Sequence, residues 1–325
     1  MVNGEWGIVM GTGLTSRVSR FAALALIAGC GSAPLPPEEG FVQVEGGRIF
    51  YDRMGDGPGI PLIVVHGGPG STSFGLKPWA ALGAERPVYR YDQLGTGRSD
   101  RVTDTTLFTV DRFVRELQAL RDSLGLDEVH LYGRSWGAML VQAYMGTNPS
   151  GVKSVILSSP LVTTAQWAAD ADSLILALPD SMQLAIARAE SLQVWDDSAF
   201  QAATTEYYAR HLTRKPPRLP ADRDSGRATG NDHVYGYMWG PTEFTATGTL
   251  KDFDATAWLR NISVPTLFVT GEFDEATPAS TERFSRLVPG ARFAVIPDAG
   301  HSTENDNWEE LLRVVREFIA GVEQR

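Results

Sequence analysis

The chain has 325 residues, enough to bury a large core as one domain with an insertion or as two. Its hydrophobic content of 43% and charged content of 21% are those of a soluble globular protein, and a net charge of −10 leaves no basic surface to neutralise phosphates, which excludes nucleic acid as a partner. The single cysteine, Cys30, excludes an intramolecular disulfide.

At the N-terminus, Arg17 and Arg20 precede the apolar run from Phe21 to Gly29, which stops at Cys30. A basic flank, a short apolar stretch and small residues make residues 1–30 an export signal, too short for a stable membrane span. Leu26-Ile27-Ala28-Gly29-Cys30 resembles the lipobox of bacterial lipoproteins, in which the cysteine is lipidated and becomes the mature N-terminus. Cys30 is therefore the expected lipidation site. The expected location is outside the cytoplasm, with the lipid anchor as the only membrane contact. The long segment before Arg17 makes Met10 a second candidate start. Residues 31–40, rich in Pro, Glu and Ser, read as a linker.

From Phe41 the chain alternates apolar and polar residues on both sides of Gly46-Gly47, the pattern of a hairpin. Pro61 to His66 is a continuous apolar run, which predicts a strand buried on both faces. It empties into Gly67-Gly68-Pro69-Gly70. Val88 to Asp92 is another strand and leads into Gln93-Leu94-Gly95-Thr96-Gly97-Arg98-Ser99. A helix then places Val110, Phe113, Val114, Leu117, Leu120 and Leu124 on one face and ends at Gly125. Strands follow at Val129–Tyr132 and Val152–Leu157, with a helix between them. This alternation predicts an α/β fold with a mostly parallel central sheet and helices on both faces.

The rhythm breaks between residues 161 and 250. Helical stretches (Leu174 to Trp195, then Ala199 to Leu212) and a loop rich in Arg, Pro and Asp (Arg214 to Asp232) replace the strands. The segment is aromatic, with Trp167, Trp195, Tyr207, Tyr208, Tyr235, Tyr237, Trp239 and Phe244. It reads as a helical cap inserted into a core made of residues 41–160 and 251–325. Strands resume at Pro265–Thr270 and Arg292–Ile296, and a helix over 307–322 closes the chain.

The candidate chemistry centres on Gly133-Arg134-Ser135-Trp136-Gly137, a G-x-S-x-G string between a strand and a helix. A serine on so tight a turn needs neighbours two positions away without side chains, both for the turn and for close packing of helix on strand. Ser135 would project from the sheet as nucleophile, and the N–H of Trp136 would face an oxyanion at the helix N-terminus. A serine nucleophile needs a base, and the base an orienting acid, in the chain order Ser, Asp or Glu, His. Asp274 and His301 follow the last two strands in that order. Of five histidines, His66 and His130 precede the serine within strands, and His211 and His233 fall in the cap. Asp298 is a rival acid, but three residues before His301 it shares the histidine's own loop. The bare Gly67-Gly68 loop supplies the second oxyanion donor, assigned to Gly68, with His66 as scaffold. No metal or cofactor is implied.

His66-Gly67-Gly68-Pro69-Gly70, Asp92 to Ser99, Gly133 to Gly137, Met238-Trp239-Gly240-Pro241-Thr242-Glu243-Phe244 and Gly271-Glu272-Phe273-Asp274-Glu275 together resemble the proline iminopeptidase family. The resemblance spans the chain from Phe41 onward and is weakest across residues 163–232. It implies an α/β-hydrolase fold and a serine aminopeptidase that releases one residue, proline expected, from short peptides with a free N-terminus. It also implies Ser135, Asp274 and His301 as the triad and Glu243 and Glu275 as the carboxylates that hold the substrate's ammonium. Arg134 departs from the family, where glycine is common. It could pair with an acidic cap residue or crowd the leaving-group side. The alternatives are an amidase or carboxylester hydrolase on the same triad, with both glutamates idle, and a binding protein on a hydrolase scaffold.

Overall fold

The computed structural model describes residues 35–324, so the export signal, Cys30 and the first residues of the linker lie outside the described residues. The linker is shorter than expected. Glu39 and Gly40 already pair with Asp52 and Tyr51 as the start of β1 (Glu39–Val44), whose partner is β2 (Gly47–Met54). Next come β3 (Leu62–Val65), a 3-10 helical segment (Ser73–Leu82), β4 (Val88–Tyr91), α1 (Val110–Ser123), β5 (Val129–Arg134), α2 (Trp136–Gly146) and β6 (Val152–Ser158). After β6 the chain leaves the sheet for α3 (Thr164–Ile175), α4 (Asp180–Leu192), α5 (Ser198–His211), α6 (Pro220–Thr229), α7 (Asp232–Met238) and α8 (Thr256–Leu259). It returns with β7 (Thr266–Gly271), α9 (Pro278–Ser285), β8 (Arg292–Ile296), α10 (Thr303–Asp306) and α11 (Trp308–Glu323).

The eight strands form one sheet in the order β1-β2-β4-β3-β5-β6-β7-β8. Only β1–β2 and β2–β4 are antiparallel, as the continuous apolar runs of the inner strands imply. Side chains of β3 alternate between two cores. Ile63 and Val65 join Phe113, Leu117 and Leu120 of α1 and Met139 and Leu140 of α2. Leu62 and Val64 join Leu76 and Trp79 of the 3-10 segment and Leu311, Val315 and Phe318 of α11 on the other face. The sequence order reverses around β3, and the loops at the C-terminal edges of β3, β5, β6, β7 and β8 converge there, the crevice in which open α/β sheets bind ligands.

Two expectations for the cap change. Leu174 to Trp195 is not one helix, because Pro179 has no N–H to donate and caps a new one, α4. The Arg214–Asp232 stretch is not all loop. It contains α6, with Pro220 at its first turn. No side chain of α6 is buried, so no apolar stripe marked it in the sequence. It is held instead by Asp222, 3.3 Å from Lys77 Nζ, and by Gly226, where an added Cβ would lie 3.0 Å from Thr72 Oγ1. The cap has its own core, in which Phe200, Tyr207 and Phe244 pack edge to face with Ile186, Ala189 and Ala203 around them.

Candidate active site

Ser135 sits between β5 and α2 with φ 55° and ψ −123°, a conformation costing a non-glycine residue about 1–3 kcal/mol. The unusual φ falls on the serine and not on Gly133 or Gly137. Those two serve close approach. A Cβ on Gly133 would lie 2.4 Å from Gly137 O, and one on Gly137 would lie 2.3 Å from Val65 O. Helix, elbow strand and β3 therefore meet backbone to backbone, and the turn is kept by packing and by the Ser135 N–H, which donates to Ser158 O at 2.9 Å.

His301 lies in the loop after β8, 2% exposed. Its Nδ1 is 2.8 Å from Asp274 Oδ1, so Nδ1–H donates to the carboxylate and Nε2 is left free. The edge of Trp167 faces the imidazole at 5.5 Å. Asp274 follows β7 and also accepts from Ser159 Oγ at 2.6 Å, Thr270 Oγ1 at 3.0 Å, Gly271 N at 3.2 Å and Ala276 N at 2.8 Å. Burial alone would push its carboxyl up, but His301 and these donors outweigh burial and hold it below the usual carboxylate range. The Ser158-Ser159 pair at the end of an apolar strand was the available signal for Ser159, which sequence reasoning missed. Asp298 is elsewhere: it is exposed and pairs with Lys215 at 3.0 Å.

Gly67 presses on the serine, where an added Cβ would stand 3.2 Å from Ser135 Cβ. Gly68 adopts φ 116°, which suits glycine alone, and a Cβ there would lie 2.7 Å from Ser71 N. His66 braces this loop. Its Nε2 accepts from Gln93 N–H at 3.1 Å, so Nδ1–H donates to Gly67 O at 2.8 Å, and burial keeps the ring neutral by lowering its pKa. Gln93 also accepts from Trp136 Nε1 at 2.8 Å. The N–H of Trp136, at the first position of α2, has no intrahelical acceptor. In the Asp92–Ser99 motif, buried Asp92 accepts from Ser73 N and from the backbone and Nε of Arg98, which makes it a loop anchor beneath the site.

A cleft of about 670 Å³ opens over Ser135 and His301, walled by the Gly67–Thr72 loop, α6, Tyr235 and Glu243. Beside Ser135 a narrow apolar slot is lined by Met139, Leu161, Trp167, Trp239 and Leu250, again with Glu243. Glu243 is anchored through its backbone, whose N–H donates to Tyr208 Oη at 3.1 Å and whose carbonyl accepts from Trp167 Nε1 at 2.8 Å. Glu275 is 1% exposed, its Oε1 lies 3.9 Å from His301 Nδ1, and neither carboxylate oxygen has a hydrogen-bond partner. The Tyr207 hydroxyl approaches Glu275 without completing a bond. Burial pushes both glutamates above their usual range, Glu275 the further because the charges of Glu243 and Asp274 also face it. Glu243 lines the cleft, whereas Glu275 is packed beside the imidazole.

Arg134 does not pair with a cap acid. Its guanidinium turns to Glu304 and Ser302 in the histidine loop. The cap histidine His211 is scaffold that the sequence did not reveal: its backbone carbonyl accepts from His301 N–H at 2.8 Å, and its Nδ1 is 2.9 Å from Phe273 O.

The family described as an alpha/beta hydrolase fold matches residues 60–303. A proline iminopeptidase of Heyndrickxia coagulans is 44% identical over 288 residues, covering 87% of this chain and 99% of its own length. One from Saccharolobus solfataricus is 33% identical over 288 residues, covering 88% and 93%. The crystal structure of a proline iminopeptidase from Mycobacterium smegmatis superposes with a TM-score of 0.81 at 30% identity, covering 88% and 99%.

Proposed function

Since the chain belongs to the proline iminopeptidase family of α/β-hydrolases, we propose how its residues divide the work of a serine aminopeptidase that releases proline from short peptides. Ser135 Oγ attacks the first peptide carbonyl while His301 Nε2 takes its proton. The same nitrogen then gives that proton to the leaving amine, and a water repeats the sequence to free the acyl-enzyme. Asp274 holds the imidazole through Nδ1 and stabilises the imidazolium. The N–H groups of Gly68 and Trp136 receive the oxyanion, where losing one donor costs about 3–4 kcal/mol of barrier.

The observation that carries the aminopeptidase reading is the pair of carboxylates. Glu275 is buried with neither oxygen bonded, Glu243 is half-buried on the cleft wall, and two facing acids with raised pKa are costly unless a ligand supplies a cation. The ammonium of an N-terminal proline has two N–H donors and fits two carboxylates. Glu243 meets it on the cleft wall, and Glu275, packed behind it beside His301, releases its proton when the ammonium's charge arrives. A neutral ester or a blocked amide would leave both acids unpaired. The apolar residues beside Ser135 offer the pyrrolidine ring carbon surface to bury against, and the slot of about 10 Å³ between them must widen to admit it.

Initial rates on a panel of aminoacyl 4-nitroanilides test this assignment. Proline is expected to lead, and equal rates for proline and leucine would contradict the slot's role. A second proposal concerns location. The signal of residues 1–30 and the lipobox at Cys30 would tether the enzyme to a membrane surface. Intact mass of the processed protein is expected to show an acylated N-terminus at Cys30, and an unmodified start elsewhere would exclude the anchor.

A further inference from the structure

One side chain joins the residue before the serine to the residues after the histidine. Arg134 is the last residue of β5, and its Nη2 donates to Ser302 Oγ at 2.9 Å. Its Nε lies 3.3 Å from Glu304 Oε2. Glu304 is 3% exposed, accepts from Tyr132 Oη at 2.5 Å, and is thereby tied to β5 twice, since Tyr132 stands two positions before Arg134. Ser302 in turn is 2.9 Å from Thr213 Oγ1 of the cap, and its N–H donates to Leu212 O at 2.8 Å. Glycine, common at this position in the family, can make none of the Arg134 contacts.

We propose that Arg134 is a positioning residue: its hydrogen bond to Ser302 and its ion pair with Glu304 fix the loop carrying His301 against the end of the strand that leads into Ser135, and so align the imidazole on the serine hydroxyl. This rests on the reading of Ser135 and His301 as nucleophile and base. The Asp274 bond holds the ring at Nδ1 only, which leaves it free to rock about that contact. The loop behind it is tied to the cap through His211 O and Leu212 O, and the Arg134 contacts tie it on the other side to the strand end that positions the serine. Misplacement by about 1 Å between reacting groups costs about 10²-fold in rate. The guanidinium also shields the Glu304 carboxylate, which would otherwise be a buried charge met only by the neutral hydroxyls of Tyr132 and Thr303.

The test compares Arg134→Gly, Arg134→Lys and Glu304→Gln with the wild type, well below the melting temperature of each. Three quantities are read: kcat and KM for proline 4-nitroanilide, and the second-order rate of labelling by a fluorophosphonate. The label reports serine and histidine alignment without any substrate amine. In Arg134→Gly, kcat and the labelling rate are expected to fall together by about 10–100-fold, with KM within about twofold. Arg134→Lys recovers part of the loss, because an ammonium reaches one of the two partners. Glu304→Gln, which keeps the shape and the Tyr132 contact, shows a smaller fall of the same kind and carries the test if the glycine variant does not fold. An unchanged labelling rate would overturn the proposal, as would a change in KM alone, the mark of a substrate contact. Labelling of the wild type and its absence in Ser135→Ala report separately on the nucleophile.

Discussion

Replacing Ser135 by alanine is expected to lower kcat on proline 4-nitroanilide by about 10⁵–10⁶-fold and to abolish fluorophosphonate labelling. The effect is large because the serine, its base and the acid act as one unit, so that losing the nucleophile also idles His301 and Asp274. The residue that remains, an oxyanion pocket and a bound substrate, still exceeds water by about 10³–10⁴-fold. The variant should fold, since the side chain makes no hydrogen bond that would be lost and the elbow is kept by Gly133, Gly137 and the backbone bond to Ser158. Alanine at φ 55° meets the same strain as serine. Retained turnover in a folded variant would mean that another group does the chemistry.

Glu275→Gln is expected to change activity and stability in opposite directions. Glu275 lies behind the cleft wall and acts on the ammonium through its charge, so its removal lowers kcat/KM for a free-amine substrate by about 10-fold, roughly 1.4 kcal/mol. Stability moves the other way. The folded Glu275 holds its proton to a pH well above the ordinary glutamate value near 4.3, whereas the unfolded chain releases it there. Between those values the native state binds more protons than the unfolded one, so the wild type loses stability as pH rises through the window. Glutamine does not titrate. Its advantage should be absent near pH 4 and grow as pH rises, read as a Tm gap that opens with pH. A gap independent of pH would place the origin of the effect elsewhere.

The meeting of His301 with Asp274 near Ser135 was legible because side chains able to do such chemistry are confined to a few places. In a parallel sheet only strand ends present side chains to a crevice, so Ser135, Asp274 and His301 could be found by order alone. The inner strands β3, β5 and β7 were readable from their apolar runs, since they are buried on both faces, and β1 and β2 from alternation. Three features were not legible, each for a physical reason. Helix α6 buries no side chain, so no apolar periodicity marked it, and Pro220 at its start also reads as a loop residue. The partner of Arg134 stands 170 residues further on at Glu304, and nothing local says which of many acids a long cation will reach. Ser159 holds Asp274 from a neighbouring strand, a pairing that sheet order decides. The glycines of the elbow were read for the right motif and partly the wrong reason. They admit close packing, while the strained φ belongs to the serine.

The central claim is that this is an aminopeptidase, whose buried glutamates exist to meet a charged amine. The most direct measurement is kcat/KM for proline 4-nitroanilide against N-acetylproline 4-nitroanilide on the same enzyme preparation. Acetylation removes the ammonium and leaves the scissile bond, the ring and the leaving group in place. One charge-assisted bond to Glu243, backed by the Glu275 charge, predicts a preference for the free amine of at least about 10-fold. Equal turnover of the two would contradict the claim and leave a general amidase or esterase on the same triad.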